Sequence, residues 1–403
     1  MMLSHEAFSA EWLAEPTLST KIQQYDNIGQ TAIDEQRATA YIIDPAISLK
    51  VRDINWNYGL DTRIRATRYS GISNEDNNNV FANMNAGYNS ETTSWSIVGD
   101  YSKNTTFDDD FDTEQLAAGI GSEQREIETT SIRPSVGWNI NETVNMLLNL
   151  SAAQVDDTTY TSPRSYESKS ADLSLTWKAS AQEKVIGKVS GLDSDNPDLN
   201  LNTRNTTYLL TYAYSFTELT SLSVSIGKHY VEGKITNNTS ICDGAIVDLG
   251  DFGLVCTGEV IVLSQTASNR ETGNSFDLNL STGDELSNYS LSASRELIPS
   301  SFGSAQEQDR VTIKLNRKIT PRFSWLLIAD VNETTSVDSV SATLDRKRTR
   351  VEPGMAWKIT KDWNISAGYR HIKQVMAETG LESASNSLFI RLSLGWPSLF
   401  STY

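Results

Sequence analysis

"FDLNLSTGDELSNYSLSAS", residues 276–294, alternates with a strictness that needs a cause. Phe276, Leu278 and Leu280 fall on one parity, Asp277, Asn279 and Ser281 on the other. After the turn "TGDE" the pattern resumes, with Tyr289, Leu291 and Ala293 set against Ser290, Ser292 and Ser294. A period of two is the mark of a β-strand, whose successive side chains point to opposite faces. These two strands have one oily face and one wet face.

The same signal recurs from end to end. In "NTTYLLTYAYSF" Tyr208, Leu210, Tyr212, Tyr214 and Phe216 face one way, and Thr207, Thr211, Ala213 and Ser215 the other. Leu222, Val224 and Ile226 oppose Ser221, Ser223, Ser225 and Gly227; Val311, Ile313 and Leu315 oppose Thr312, Lys314 and Asn316. Near the end, Leu388, Ile390, Leu392, Leu394 and Trp396 oppose Arg391, Ser393 and Gly395. No stretch has a defensible helical period, so the chain reads as all-β.

Composition decides between the settings such strands could occupy. Only 38% of the 403 residues are hydrophobic and the mean hydropathy is -0.38, with no apolar run longer than "WLLIA" at residues 325–329. A spanning helix needs about 20 apolar residues, so helical spanning is excluded. A spanning β-strand hides its apolar half in alternation, and a polar average leaves that option intact. The net charge of -17 argues against nucleic acid, which needs a basic surface. The acidic runs "FDDDFDTE" (107–114) and "LDSDNPD" (192–198) lack the ligand spacing of a calcium loop and read as solvated loops, with no metal assigned.

Connections supply a second regularity, because short turns alternate with long polar loops. Short turns are "NINET" (139–143), "KASAQE" (178–183), "SFTELT" (215–220), "RKITPR" (317–322) and "KITKD" (358–362). Long connections are expected near 26–37, 70–78, 103–124, 156–165, 193–203, 233–268, 297–307, 333–343 and 374–384. The strands between them number about eighteen, with sixteen as the neighbouring even count, and both termini fall on the short-turn side. Trp56, Trp138, Trp177, Trp325, Trp357, Trp363 and Trp396 all lie within a few residues of a short turn or of the C-terminus, with Trp95 slightly farther away. Such a belt is what a membrane–water interface selects, since an indole has an apolar body and a polar N–H. The reading is a transmembrane, antiparallel, up-and-down β-barrel.

The turn regions form a degenerate repeat: "VGWNINETVNMLLNL", "LTWKASAQEKVIGKV", "LNRKITPRFSWLLIA" and "MAWKITKDWNISAGY". Its irregular spacing disfavours a solenoid or propeller. The opening "MMLSHEAFSAEW" lacks the basic region and apolar stretch of a secretory signal, and "AFSA" before Glu11 reads as an imperfect cleavage remnant. Residues 1–14 are therefore expected as a periplasmic N-terminal segment and 15–403 as one barrel domain.

The stretches "EWLAEPTLSTKIQQYDNIGQ" and "DPAISLKVRDINWNYGLDTRIRATRY" resemble the start of the β-barrel porin proteins of bacterial exopolysaccharide operons, including those with exosortase sorting systems. The resemblance extends over nearly the whole chain as a pattern of hairpins, without a catalytic signature. It implies an outer-membrane barrel of about eighteen strands that works with a periplasmic polysaccharide export protein to pass a secreted polymer. A general or substrate-selective diffusion porin is the alternative, and a structural surface barrel the third class.

If the oily parity meets lipid, counting in twos places Arg63, Arg65, Arg133, Lys188, Asp277, Lys314, Arg346, Arg348, Arg350, Glu352, Arg370 and Arg391 in the lumen, with Asp61. "LDRKRTRVE" sets Arg346, Arg348 and Arg350 on one face of one strand, a ladder able to hold an anionic ligand or sugar acid. The competing reading pairs these arginines with lumenal carboxylates to rigidify the interior. Both stay open at this level.

Cys242 and Cys256 lie in the longest loop, and in an oxidising periplasm they are expected to bridge, stabilising the fold by about 3 kcal/mol in the chain-entropy model. Of the three histidines, His5 is N-terminal, and His229 and His371 are expected at the outer ends of strands about eight apart, too far for a catalytic pair. With no G-x-S-x-G element, phosphate loop or cofactor motif, the chain reads as a conduit and not as an enzyme.

Overall fold

A computed structural model describes residues 11–72, 76–105, 126–157, 164–198, 200–242, 246–248, 254–256, 260–299, 305–336, 345–377 and 379–396. The first strands are β1 (Glu11–Tyr25), β2 (Ala38–Arg52), β3 (Trp56–Ser70), β4 (Asn77–Asn89), β5 (Thr93–Thr105), β6 (Glu126–Asn139), β7 (Val144–Asp157), β8 (Arg164–Lys178), β9 (Glu183–Asn196) and β10 (Leu201–Ser215). Then follow β11 (Ser221–Cys242), β12 (Ile246–Asp248), β13 (Leu254–Cys256), β14 (Val260–Gly283), β15 (Ser287–Pro299), β16 (Ala305–Lys318), β17 (Phe323–Ser336), β18 (Arg346–Lys358), β19 (Trp363–Met376) and β20 (Glu382–Gly395).

Each long strand pairs antiparallel with the next, β11 pairs with β14, and β20 closes on β1 from Thr17↔Gly395 to Tyr25↔Ser387. The result is a closed barrel of eighteen strands, with β12 and β13 forming a separate small pair. Closure leaves the wall no unpaired edge around its circumference, the condition for a sheet to cross a membrane.

Parity sorts the faces as the alternation requires. Phe276, Leu278 and Leu280 lie beside Ile226, Val224 and Leu222 of β11, and Leu278 and Leu280 face Ala293 and Leu291 of β15. This face carries the large exposed hydrophobics, among them Ile226 at 64% exposure, Leu210 and Ile390. Exposed apolar surface this continuous is stable only against lipid. The chain is a transmembrane β-barrel.

Among the described residues, in place of a large hydrophobic interior there is one small apolar cluster, Tyr25, Ile28, Ala38, Ala40 and Ile42, which caps the β1–β2 hairpin with Tyr69 and Ile72. All nine tryptophans lie at the short-turn end: the seven expected, Trp95, and Trp12 near the start of β1. Trp56 packs edge-on against Trp95 with ring centroids 5.2 Å apart, and Tyr88 joins them.

The repeat seen at the turns has a chemical cause. In each, one side-chain oxygen accepts the two backbone N–H groups that would otherwise be orphaned: Asn141 from Thr143 and Val144, Ser180 from Gln182 and Glu183, Thr320 from Arg322 and Phe323, Thr360 from Asp362 and Trp363. Asn, Ser, Thr and Asp suit this place because a short polar side chain can reach the backbone two residues on.

Asp284 does the same for Leu286 and Ser287, whose N–H groups lie 2.7 and 2.6 Å from Oδ1 and hold its carboxyl below the ordinary value. The turn's contribution is therefore complete above the unfolded pKa of about 3.9 and is lost as pH falls through the lower folded value. Hydrogen exchange at the Leu286 and Ser287 amides, corrected for intrinsic rate, will accelerate below about pH 4. In Asp284→Ala it will be fast at every pH.

Three expectations are corrected. β1 begins at Glu11, paired with Arg52, so residues 11–14 belong to the barrel wall. The connection expected at 193–203 shrinks to a tight turn, with Asn200 N–H donating to Pro197 and Asn200 at φ 47°. The loop expected at 233–268 is largely strand: the β11–β14 ladder runs to Cys242↔Val260, beyond the last β10 rung at Leu201↔Ile235. Above the lipid belt an outward residue need not be apolar, so these strand ends carry no alternation and read as loops.

Candidate functional site

The inner face is lined by hydroxyl and amide side chains and encloses three described cavities. One of about 920 Å³ lies against β1 to β6, with Asp61, Asn83, Ser102 and Ser131 in its wall. A second of about 480 Å³ is bounded by Ser170, Ser190, Thr207, Ser225 and Asp277. The third, of about 340 Å³, lies between β16 and β20 and holds Lys21, Glu352, Arg370 and Arg391.

Burial grades along the bore. At the short-turn end Asp61, Asn279, Ser281 and Lys314 are exposed. At the long-loop end the inner wall is buried around most of the circumference: Gln23, Arg65, Asn79, Asn104, Asn196, Asn205, His229, Gln308, Asn332, Arg348, Gln374 and Ser387. The described lining is therefore solvent-exposed at one end, a vestibule, and tightly packed at the other, a polar neck.

Part of that neck is a hairpin that leans inward. His229 Nδ1 lies 3.0 Å from Ser275 Oγ, and its Nε2 lies 3.8 Å from Glu307 Oε2 on β16. Three ladder steps separate β11 from β16, about 14 Å in a regular sheet. The contact forms because the β14–β15 ladder stops at Phe276↔Arg295, and the tip of the β15–β16 hairpin crosses the inner face of β14. Gly273 makes room: a Cβ there would lie 2.1 Å from His229 Nε2 and 3.1 Å from Glu307 Oε2. His229 is thus a buried wall residue and not a rim residue. His371 lies on the opposite parity to Arg370 and bonds Asn386, 2.8 Å away.

The lumenal charges divide into two groups. Arg65 places Nε and Nη2 at 3.1 and 2.8 Å from Asp44 Oδ2, and Arg63 lies 3.8 Å from Oδ1 while stacking on the Phe81 ring. Arg133 pairs with Asp100, Lys188 with Asp172 at 3.5 Å, and Arg370 with Glu352 at 2.7 Å. Asp277 accepts from Asn279. The five cations brace neighbouring strands through these pairs, whereas the Asp277 bond stays within β14.

Arg346, Arg348 and Arg350 are different. Across β17 they face Thr334, Asn332 and Asp330, and across β19 Met376, Gln374 and Ile372. The one carboxylate in that set, Asp330, is engaged by Arg310 at 2.9 Å and Thr312 at 3.0 Å. Among the described residues none of the three arginines has an ion-pair partner, and Arg346 Nη1, Arg348 Nε and Arg350 Nε are buried without a hydrogen bond. Arg391 Nε is in the same condition.

With this geometry in place the chain can be set beside known proteins. It superposes on Pseudomonas aeruginosa OccK7 (OpdD) with a TM-score of 0.50 and 8% identity, over 97% of this chain and 99% of that one. The ferric-catecholate import receptor Fiu of E. coli K12 gives a TM-score of 0.50 at 9% identity, over 95% of this chain and 81% of that one. The fold is that of outer-membrane barrels. No protein-family model and no curated protein matches the sequence.

Parity counting found the cations better than their partners. Asp44, Asp100, Asp172, Arg310 and Asp330 were legible by the same count, each on the polar parity of its strand. The side chains of Cys242 and Cys256 lie outside the described residues, as does all of the acidic run 107–114. In the other acidic run, Asp193 pairs with Arg204 at 3.0 Å.

Proposed function

We propose that the protein is an outer-membrane channel, its short turns and both barrel termini periplasmic and its long connections outside, and that its cargo is a secreted polysaccharide delivered by a periplasmic export protein. The observation that carries the channel reading is the inner wall. Serine, threonine and asparagine from many strands line the cavities, a surface that exchanges hydrogen bonds with water and sugar hydroxyls instead of packing a dry core. The graded burial supports export over free diffusion: a wide periplasmic vestibule can receive a chain end, and a closed outer neck limits leakage. That the cargo is a secreted polysaccharide and that a periplasmic export protein takes part are what the family resemblance implies.

A solute-selective diffusion porin is the second reading, favoured by the unpaired arginines, which can sort anions without a partner. Swelling of proteoliposomes in iso-osmotic sugars separates the two. Export through a closed neck predicts disaccharide entry near the protein-free rate, rising when a periplasmic polysaccharide export protein is added. A diffusion porin gives rates that fall smoothly with sugar size and ignore that protein.

A further inference from the structure

We infer that Arg346, Arg348 and Arg350, entered from the cavity that holds Arg391, form a binding track for an acidic saccharide, a polyhydroxylated chain carrying carboxylates. The inference deepens the channel reading and rests on it.

Three observations carry the track. Burial comes first: Arg346 and Arg348 are 6% and 8% exposed, yet among the described residues neither has a hydrogen bond or a carboxylate within ion-pair distance, and Asp330, whose field reaches Arg348, is already engaged by Arg310 and Thr312. A guanidinium stays protonated in proteins, so burying it unpaired costs several kcal/mol unless another group supplies negative charge. The other buried arginine among the described residues, Arg65, is held by Asp44 and shows what a purely structural arginine looks like here.

Spacing comes second. Residues i, i+2 and i+4 of a strand repeat about every 6.7 Å on one face, so the three charges form a line about 13 Å long. A small anion meets one or two of them, whereas an oligomer with a charge on each sugar meets all three. Toward the vestibule, Glu352 occupies the next same-face position after Arg350 and is neutralised by Arg370. Beside it Lys21 and Arg391 open onto the 340 Å³ cavity, which extends the positive path to the periplasmic side.

The third observation is the company the arginines keep. Gln306, Gln308, Asn332 and Gln374 each hold a buried carbonyl oxygen without a hydrogen-bond partner, and Gln306 and Gln308 are 0% and 1% exposed. Asn332 and Gln374 flank Arg348 directly in the register. Orphaned acceptors call for hydroxyl donors and orphaned guanidinium N–H groups for carboxylates. Acidic sugars supply both on one molecule.

The test is calorimetric titration of the folded barrel in detergent micelles with trigalacturonate, galacturonate and neutral maltotriose. The track predicts trigalacturonate binding at least tenfold tighter than galacturonate, weakening with added salt, and no detectable maltotriose binding. Arg348→Gln lowers trigalacturonate affinity about tenfold or more, the loss of one charge-assisted contact. Lys347→Gln, one residue away on the outer face beside Glu333, leaves it unchanged. Arg348→Gln also keeps or raises the unfolding temperature, because it removes an uncompensated buried charge, and this separates lost binding from lost folding. Equal affinity for the neutral and acidic trimers, or unaltered binding in Arg348→Gln, overturns the track. Either result leaves the channel reading standing, since binding in micelles does not depend on conduction.

Discussion

Asp44→Ala will destabilise the barrel by about 3–5 kcal/mol, the cost of breaking a buried ion pair from one side. Asp44 is 8% exposed and takes two contacts from Arg65, itself 3% exposed, with Arg63 close by. Removing the carboxylate takes the ion-pair partner from a buried guanidinium that has a second one close by. Urea unfolding in phospholipid vesicles measures the loss. The double variant Asp44→Ala/Arg65→Leu should recover most of it, because apolar groups of similar size often replace a buried pair at little cost. If the single variant is as stable as the wild type, the brace has been misread. Arg348→Gln gives the opposite sign for the same physical reason.

Ile390→Arg will cost about 2–4 kcal/mol, the penalty for a charge on the lipid face near the bilayer midplane. Ile390 is 54% exposed and lies between Asn386 and Trp396, which mark the two edges of the apolar belt on β20. Ser393→Arg, three residues on and facing the bore, will stay within about 0.5 kcal/mol of the wild type. Ser393 lies about 10 Å nearer the short-turn edge but still within the belt, so the face it presents accounts for most of the difference. Equal costs at both positions would mean that the two faces have been exchanged or that neither meets lipid.

Much of the fold was legible because a lipid-facing strand leaves little choice. Residues 276–294 alternate since Phe276, Leu278 and Leu280 must be oily, and the same demand marks Leu388 to Leu394. Legibility ended where the demand ended. Residues 233–242 and 260–268 pair as regularly as any strand, yet they extend past the belt and their sequence shows no oily-and-polar alternation. Length also misled at Pro197, where polar strand ends were counted as loop. The turns were visible as a repeat before their chemistry was known, because Thr320 and Thr360 each do one fixed job.

The site was legible in part. Counting in twos placed Arg346, Arg348 and Arg350 together on the inner face, since that depends only on strand geometry. It could not decide that Arg370 would pair with Glu352 while Arg348 would have no ion pair among the described residues, because ion pairing depends on which strands become neighbours and at what register. Nor could it show the inward-leaning β15–β16 hairpin, which exists because one ladder stops early at Phe276↔Arg295.

Planar-bilayer recording of the refolded protein decides whether it is a membrane-spanning conduit with a neck closed at rest. Discrete, stepwise events, each adding a fixed ionic conductance, are expected once a periplasmic polysaccharide export protein is added, with the step size changed in Arg346→Gln/Arg348→Gln/Arg350→Gln as the neck loses its charge. Protein that stays soluble and monodisperse without detergent, or current that stays at baseline at every applied voltage with the export protein present, would contradict the conduit.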